Sequence, residues 1–150
     1  MKKITWFLLI VSSLLLAACG GTSSKETPLI SSEPITGNKV SVAGGEYTDI
    51  SVDGLQEMLK NKDFVFVNVH IPFEGDIATT DLSIPYNEID QHTDQLPAEK
   101  DARIVLYCRS GRMSSIAAET LAGLGYTNLA NLEGGMVAWE QAGLPLEGVK

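Results

Sequence analysis

The sequence predicts an α/β fold in which a parallel sheet is covered by helices on both sides. Two apolar runs of strand length, Phe64–Val69 and Arg103–Tyr107, are typical of strands buried on both faces, as in parallel sheets. Helical patterns alternate with the strand patterns along the chain. Such alternation produces βαβ units, and these units build parallel sheets.

The other elements follow in order along the same region. Ser51 is a suitable N-cap for the first helix, and Gly125 is placed to end the second. Additional strands are predicted at residues 47–50, 83–85 and 128–131. Helices are predicted at residues 51–60, 113–124 and 136–142.

Residues 1–18 have the pattern of a secretory signal, with two lysines followed by an apolar run too short to be read as a membrane span of about 20 residues. The run ends in Leu16-Ala17-Ala18-Cys19, which resembles the bacterial lipoprotein box. In that family the cysteine is joined to a diacylglyceryl group and becomes the first residue. An ordinary signal peptide cut after Ala18 is the alternative. We therefore expect a lipid on Cys19 that anchors the protein to a bacterial membrane, with its domain in the cell envelope outside the cytoplasm.

Residues 19–45 are predicted to be the lipidated cysteine followed by a flexible tether, because this stretch is rich in glycine, serine, threonine and proline. Residues 46–150 are predicted to form one domain.

The whole chain has a formal charge of −8. This acidic balance gives no electrostatic reason to expect nucleic acid as a partner.

The chain contains two cysteines, Cys19 and Cys108. If Cys19 carries a lipid, Cys108 has no partner within the chain, and an unpaired thiol in an exported protein is a candidate reactive group. An inert, buried cysteine is the alternative. Cys108 follows a predicted strand directly, and ligands of parallel sheets bind at the carboxyl ends of strands. This position favours the reactive thiol.

The residues after Cys108 have the composition of an anion-binding loop. Gly111 permits a positive φ, and the turn into a helix directs backbone N–H groups and the helix N-terminus toward one point. Arg109 and Arg112 add two cations, which either bind an anionic substrate or are ordinary solvated side chains. His70 and His92 are interpreted as structural or solvated. Neither the histidines nor the cysteines have metal-ligand spacing, so the sequence predicts no metal or other cofactor.

Two segments resemble those of a known family. Cys108–Ser114 resembles the active-site loop of single-domain rhodaneses, which are sulfurtransferases. Leu132–Trp139 and then Gly143–Pro145 resemble the family's C-terminal signature, Gly-Gly-x-x-Ala-Trp followed by Gly-x-Pro. The resemblance covers about residues 46–147. Upstream, Asn68-Val69-His70 stands where the family commonly has Asp-Val-Arg.

The resemblance implies a five-stranded parallel sheet with helices on both faces and a Cys108 nucleophile that takes up sulfane sulfur. The substrate-binding cradle would be Arg109, Ser110, Gly111, Arg112 and Met113. The donor would be a small sulfur anion such as thiosulfate, and the acceptor a thiol or a cyanide-like nucleophile. A redox or acceptor protein is a further expected partner.

Two other functions stay open. A persulfide carrier or protein-binding module would also need Cys108 but would turn over little alone. A cysteine phosphatase or arsenate reductase would cradle an anion in a similar loop. However, the typical phosphatase loop has arginine six residues after the cysteine, and Ser114 occupies that position here.

Overall fold

The computed structural model describes residues 32–149 of the chain. The predicted signal at residues 1–18, the predicted lipidation site Cys19 and the first part of the predicted tether lie outside the described residues. Within residues 32–149, no helix is both long enough and apolar enough to cross a membrane.

Strands and helices alternate along the described chain, as the sequence predicts. The strands are β1 (Asn38–Val42), β2 (Gly45–Ile50), β3 (Val65–Asn68), β4 (Asp76–Ile77), β5 (Leu82–Ser83), β6 (Ile104–Tyr107), β7 (Leu129–Leu132) and β8 (Leu146–Glu147). The helices are α1 (Val52–Leu59), α2 (Arg112–Gly123) and α3 (Gly135–Gln141), with a short 3-10 turn at Thr93–Gln95.

The main sheet has the strand order β1-β2-β7-β6-β3-β5. The five strands from β2 to β5 in this order are all parallel, which agrees with the predicted parallel core. The sixth strand, β1, pairs antiparallel with β2 at the edge. A separate pair, β4 with β8, is also antiparallel. The α/β prediction is confirmed, and the sheet is mixed rather than purely parallel.

The edge strand β1 lies in the stretch predicted to be a flexible tether, so that prediction is wrong for its last residues. β1 and β2 form a hairpin, with Val40 opposite Tyr47. Ile35 is 6% exposed, and its N–H donates to the side-chain oxygen of Asn128 at 3.2 Å. Buried contacts and ladder hydrogen bonds therefore hold this segment to the domain despite its loop-like composition.

The two faces of the sheet carry separate cores. Because side chains alternate along a strand, Ile104 and Leu106 of β6 face one side, and Val105 and Tyr107 face the other. The first side packs against α2 through Ala117, Ala118, Leu121 and Ala122. The second packs against α1 and α3 through Leu55, Met136 and Trp139. Helices on both faces are thus confirmed.

Candidate active site

Cys108 lies directly after the central strand β6, at the base of the loop that leads into α2. The residue is 1% exposed. Its Sγ accepts a hydrogen bond from the Gly111 N–H at 3.2 Å, and the Ser114 hydroxyl lies 3.4 Å away. Ser114 is fully buried, and its hydroxyl also lies 3.1 Å from the Gly111 carbonyl oxygen. The sulfur is therefore held among hydrogen-bond donors at the start of a helix.

Gly111 is the residue that turns the loop into α2. It has a φ of +89° and is the N-cap of the 12-residue helix. A Cβ at this position would lie 3.2 Å from the Gly134 nitrogen and 3.4 Å from the Leu132 carbonyl oxygen. The predicted positive φ is confirmed. It allows the N-terminus of α2, with its partial positive charge, to point at the sulfur.

The start of α3 holds the other side of the loop. The Met136 N–H donates to the Cys108 carbonyl, and the Val137 N–H donates to the Arg109 carbonyl, both at 2.9 Å. In a planar trans peptide the carbonyl and the following N–H point in opposite directions. The N–H groups of Arg109 and Ser110 consequently point away from α3, which makes them available to an anion bound at the loop.

Gly135 permits this close approach of helix and loop. Its φ is +56°, and a Cβ there would lie 2.2 Å from the Cys108 carbonyl oxygen and 2.8 Å from the Arg109 carbonyl carbon. The Gly134-Gly135 pair is thus part of the support for the cysteine loop.

A cleft of about 440 Å³ opens above the loop. Four of the predicted substrate-binding residues line it, namely Arg109, Ser110, Arg112 and Met113, together with Cys108. The fifth predicted residue, Gly111, donates its N–H to the Cys108 sulfur. Sequence reasoning missed the other lining residues, which are His70, Tyr86, Ile116 and Val137. It also missed the direct contact of Ser114 with Sγ.

The two loop arginines differ in their surroundings. Arg109 Nη1 donates to Glu74 Oε2 at 2.7 Å, and both side chains are partly exposed. Arg112 is exposed and forms no ion pair with any residue in the range 32–149. One loop cation is therefore neutralised by a neighbouring carboxylate, whereas the other is available to an anionic substrate.

The family model described as "Rhodanese-like domain" matches residues 52–142, more than half of the chain. The chain belongs to the rhodanese-like family. It is 36% identical over 93 residues to an uncharacterized protein of Synechocystis sp., a match that covers 61% of this chain but only 51% of that protein. It is 34% identical over 94 residues to a sulfurtransferase of Allochromatium vinosum, covering 61% of this chain and 85% of that protein.

A solved structure has the same fold. The rhodanese-related protein from Thermoplasma volcanium matches with a TM-score of 0.57 and 32% identity, over 67% of this chain and 97% of that one. These relatives support assignment of this rhodanese-like protein to a family of sulfurtransferases and sulfur carriers.

Asn68-Val69-His70, which departs from the family pattern, borders the cleft through His70. The rhodanese-like protein has Asn68 at the end of β3, where the family commonly has aspartate. The fully buried Asn68 amide donates to the Gly75 carbonyl at 3.0 Å and to Asp76 Oδ1 at 2.8 Å. Its Oδ1 accepts from the His70 N–H at 3.0 Å. Asparagine fits here because it both donates to the Asp76 carboxylate and accepts, whereas an ionised aspartate only accepts.

His70 is not a solvated side chain. Only 7% of the side chain is exposed, and Nε2 lies 3.5 Å from Glu74 Oε2. Neither ring nitrogen has a hydrogen-bond partner among the described residues. His70 is held at the edge of the cleft because β3 lies next to β6, so the carboxyl ends of both strands reach the same site.

Tyr107 also holds β4, the strand to which the Asn68 amide donates. Its hydroxyl lies 3.0 Å from Asp76 Oδ1 and accepts from the Ile77 N–H at 3.0 Å. Burial raises the pKa of Tyr107 above its ordinary value, which keeps the hydroxyl protonated and able to donate.

Proposed function

We propose that this rhodanese-like protein moves sulfane sulfur from a small anionic donor such as thiosulfate to a thiophilic acceptor through a persulfide on Cys108. One observation carries the proposal. Cys108 Sγ lies at the floor of a cleft and accepts from the Gly111 N–H at 3.2 Å, at the N-terminus of α2. This is an environment suited to a sulfur anion, because backbone donors and the helix dipole face it.

The reaction has two steps that exchange one sulfur atom. The Cys108 thiolate attacks the sulfane sulfur of thiosulfate, the S–S bond of the donor breaks, and sulfite leaves with the electron pair. The product Cys108–S–S⁻ has its terminal sulfur about 2 Å beyond Sγ. The N–H groups of Arg109 and Ser110 are oriented to stabilise that anion. An acceptor nucleophile then takes the terminal sulfur and regenerates the thiolate.

The phosphatase alternative has less support from the geometry. The position six residues after the cysteine holds Ser114, whose side chain is buried and bonded within the loop. It offers a single hydroxyl in place of the bidentate, charged clamp that binds phosphate. The persulfide carrier shares the Cys108 chemistry, and turnover with thiosulfate and cyanide separates it from an enzyme.

Arg112 is expected to bind the anionic donor. Replacing Arg112 with glutamine should raise the KM for thiosulfate roughly two- to fivefold, which corresponds to about 0.4–1 kcal/mol, within the range that exposed charge interactions contribute. The control is the double variant R109Q/E74Q, which removes the exposed ion pair without changing the net charge. Steady-state kinetics should show less than about a twofold change in the control. A larger effect in the control than in R112Q would contradict the assignment.

We also propose that Cys19 carries a lipid that anchors the protein to a bacterial membrane, because Leu16-Ala17-Ala18-Cys19 has the lipoprotein pattern. In a bacterial host, the full chain should fractionate with membranes, and Cys19→Ala should release it. Cys108→Ser, which keeps Cys19, is the control and should stay with the membranes. A Cys19→Ala protein that remains membrane-bound would count against the anchor.

A further inference from the structure

We propose that the acceptor is a small organic thiol with an apolar substituent, bound by an apolar wall that consists of Tyr86, Met113, Ile116 and Val137. This inference rests on the proposed function and specifies its second substrate. All four residues line the cleft that contains Cys108. Thiosulfate and cyanide have no apolar surface, so neither explains why one wall of the cleft is apolar.

The wall is assembled from three separate parts of the fold. Met113 and Ile116 are three residues apart on α2 and so lie on one face of the helix. Val137 is on α3, where its N–H is bonded to the Arg109 carbonyl at 2.9 Å. The Tyr86 N–H donates to the Val69 carbonyl at 3.1 Å. Backbone bonds to the loop and the sheet therefore set the positions of Val137 and Tyr86 relative to the sulfur.

The exposure of Ile116 also points to a bound apolar group. The residue is 40% exposed although it lines a concave site beside the nucleophile. A substituent packed on it would remove apolar surface from water, which favours binding. Of the two arginines in the cleft, Glu74 neutralises Arg109, so Arg112 is the arginine left for the donor anion or the acceptor thiolate.

The size of the cleft suits a small molecule. Its volume of about 440 Å³ is within the range of sites that enclose small organic ligands, roughly 300–1,000 Å³. Cys108 is 1% exposed at the floor, so only a slender group reaches it. A thiol meets this requirement, because its sulfur can approach the persulfide while its substituent lies along the wall.

The transfer balances without an added oxidant or reductant. The acceptor thiolate R–S⁻ attacks the terminal sulfur of Cys108–S–S⁻ and forms R–S–S⁻. The bond between the two sulfurs of the persulfide breaks, and its electron pair returns to Cys108 Sγ as the thiolate.

The test compares acceptors with thiosulfate as the donor and sulfite release as the readout. The acceptors are benzyl mercaptan, 2-mercaptoethanol as a thiol without a large apolar group, and cyanide. We expect kcat/KM for benzyl mercaptan to exceed that for 2-mercaptoethanol by about tenfold or more, because each buried methylene-sized group contributes about fourfold.

A matched pair of variants locates the effect. Ile116→Ser should lower the ratio of kcat/KM for benzyl mercaptan to that for 2-mercaptoethanol by about fivefold or more. Leu124→Ser is the control, because Leu124 is similarly exposed, is the C-cap residue of the same helix and does not line the cleft. The ratio should be unchanged in this control.

The outcomes separate the two proposals. No enzyme-dependent sulfite release with any acceptor, from folded protein, would overturn the proposed function and this inference with it. Turnover with cyanide but equal kcat/KM for the two thiols would overturn only the apolar acceptor. An equal change of the ratio in Ile116→Ser and Leu124→Ser would also overturn it, since the preference would then not come from the wall.

Discussion

Cys108→Ser is expected to lower kcat/KM for sulfur transfer at least about a thousandfold, because the variant has no sulfur on which a persulfide can form. The substitution leaves the surrounding hydrogen-bond donors in place. The side chain is nearly isosteric and 1% exposed, so the domain should stay folded. Thiocyanate formation from thiosulfate and cyanide measures the activity, and thermal unfolding measures the fold.

A suitable comparison is Ser114→Ala, which removes a hydroxyl beside Sγ but keeps the thiol. It should retain measurable turnover while Cys108→Ser has none. Substantial activity in folded Cys108→Ser would show that sulfur transfer does not pass through this residue.

Gly135→Ala is expected to lower the free energy of unfolding by about 3 kcal/mol or more. A left-handed backbone alone disfavours alanine by roughly 1–2 kcal/mol. The larger part of the effect comes from overlap, because the new Cβ would lie 2.2 Å from the Cys108 carbonyl oxygen. Relief of that overlap would move α3 away from the cysteine loop, so activity should fall as well. Chemical denaturation and the sulfur-transfer assay measure the two effects.

Gly143→Ala provides the matched control for backbone strain. Gly143 has a φ of +78°, and a Cβ there would have no neighbour within 4 Å. This variant should lose only the strain contribution of roughly 1–2 kcal/mol and keep its activity. Equal losses in both variants would refute the steric role assigned to Gly135.

Local sequence patterns predicted the parallel core well. Phe64–Val69 and Arg103–Tyr107 contain β3 and β6, because continuous apolar runs indicate strands buried on both faces. The edge strand β1 has no such run, since an edge strand needs only partial burial. The β4–β8 pair is two residues per strand and joins distant parts of the chain, so no local periodicity could reveal it.

Five of the nine residues that line the cleft, between Cys108 and Met113, were predictable from the sequence, whereas the other four were not. Cys108 and Gly111 have a local signature, namely a strand end followed by a turn into a helix. The placement of His70 and Tyr86 depends on β3 being a neighbour of β6, and strand order is not encoded locally. The Arg109–Glu74 ion pair joins residues 35 positions apart for the same reason. Ile116 lies within the helix predicted at residues 113–124, but only the packed structure shows that it lines the cleft.

Mass spectrometry of the purified protein after incubation with thiosulfate tests the persulfide most directly. We predict one added sulfur atom on the peptide that contains Cys108, lost on addition of cyanide with formation of thiocyanate. An unmodified Cys108 in folded, reduced protein, or sulfur added elsewhere in the chain, would contradict a Cys108 persulfide.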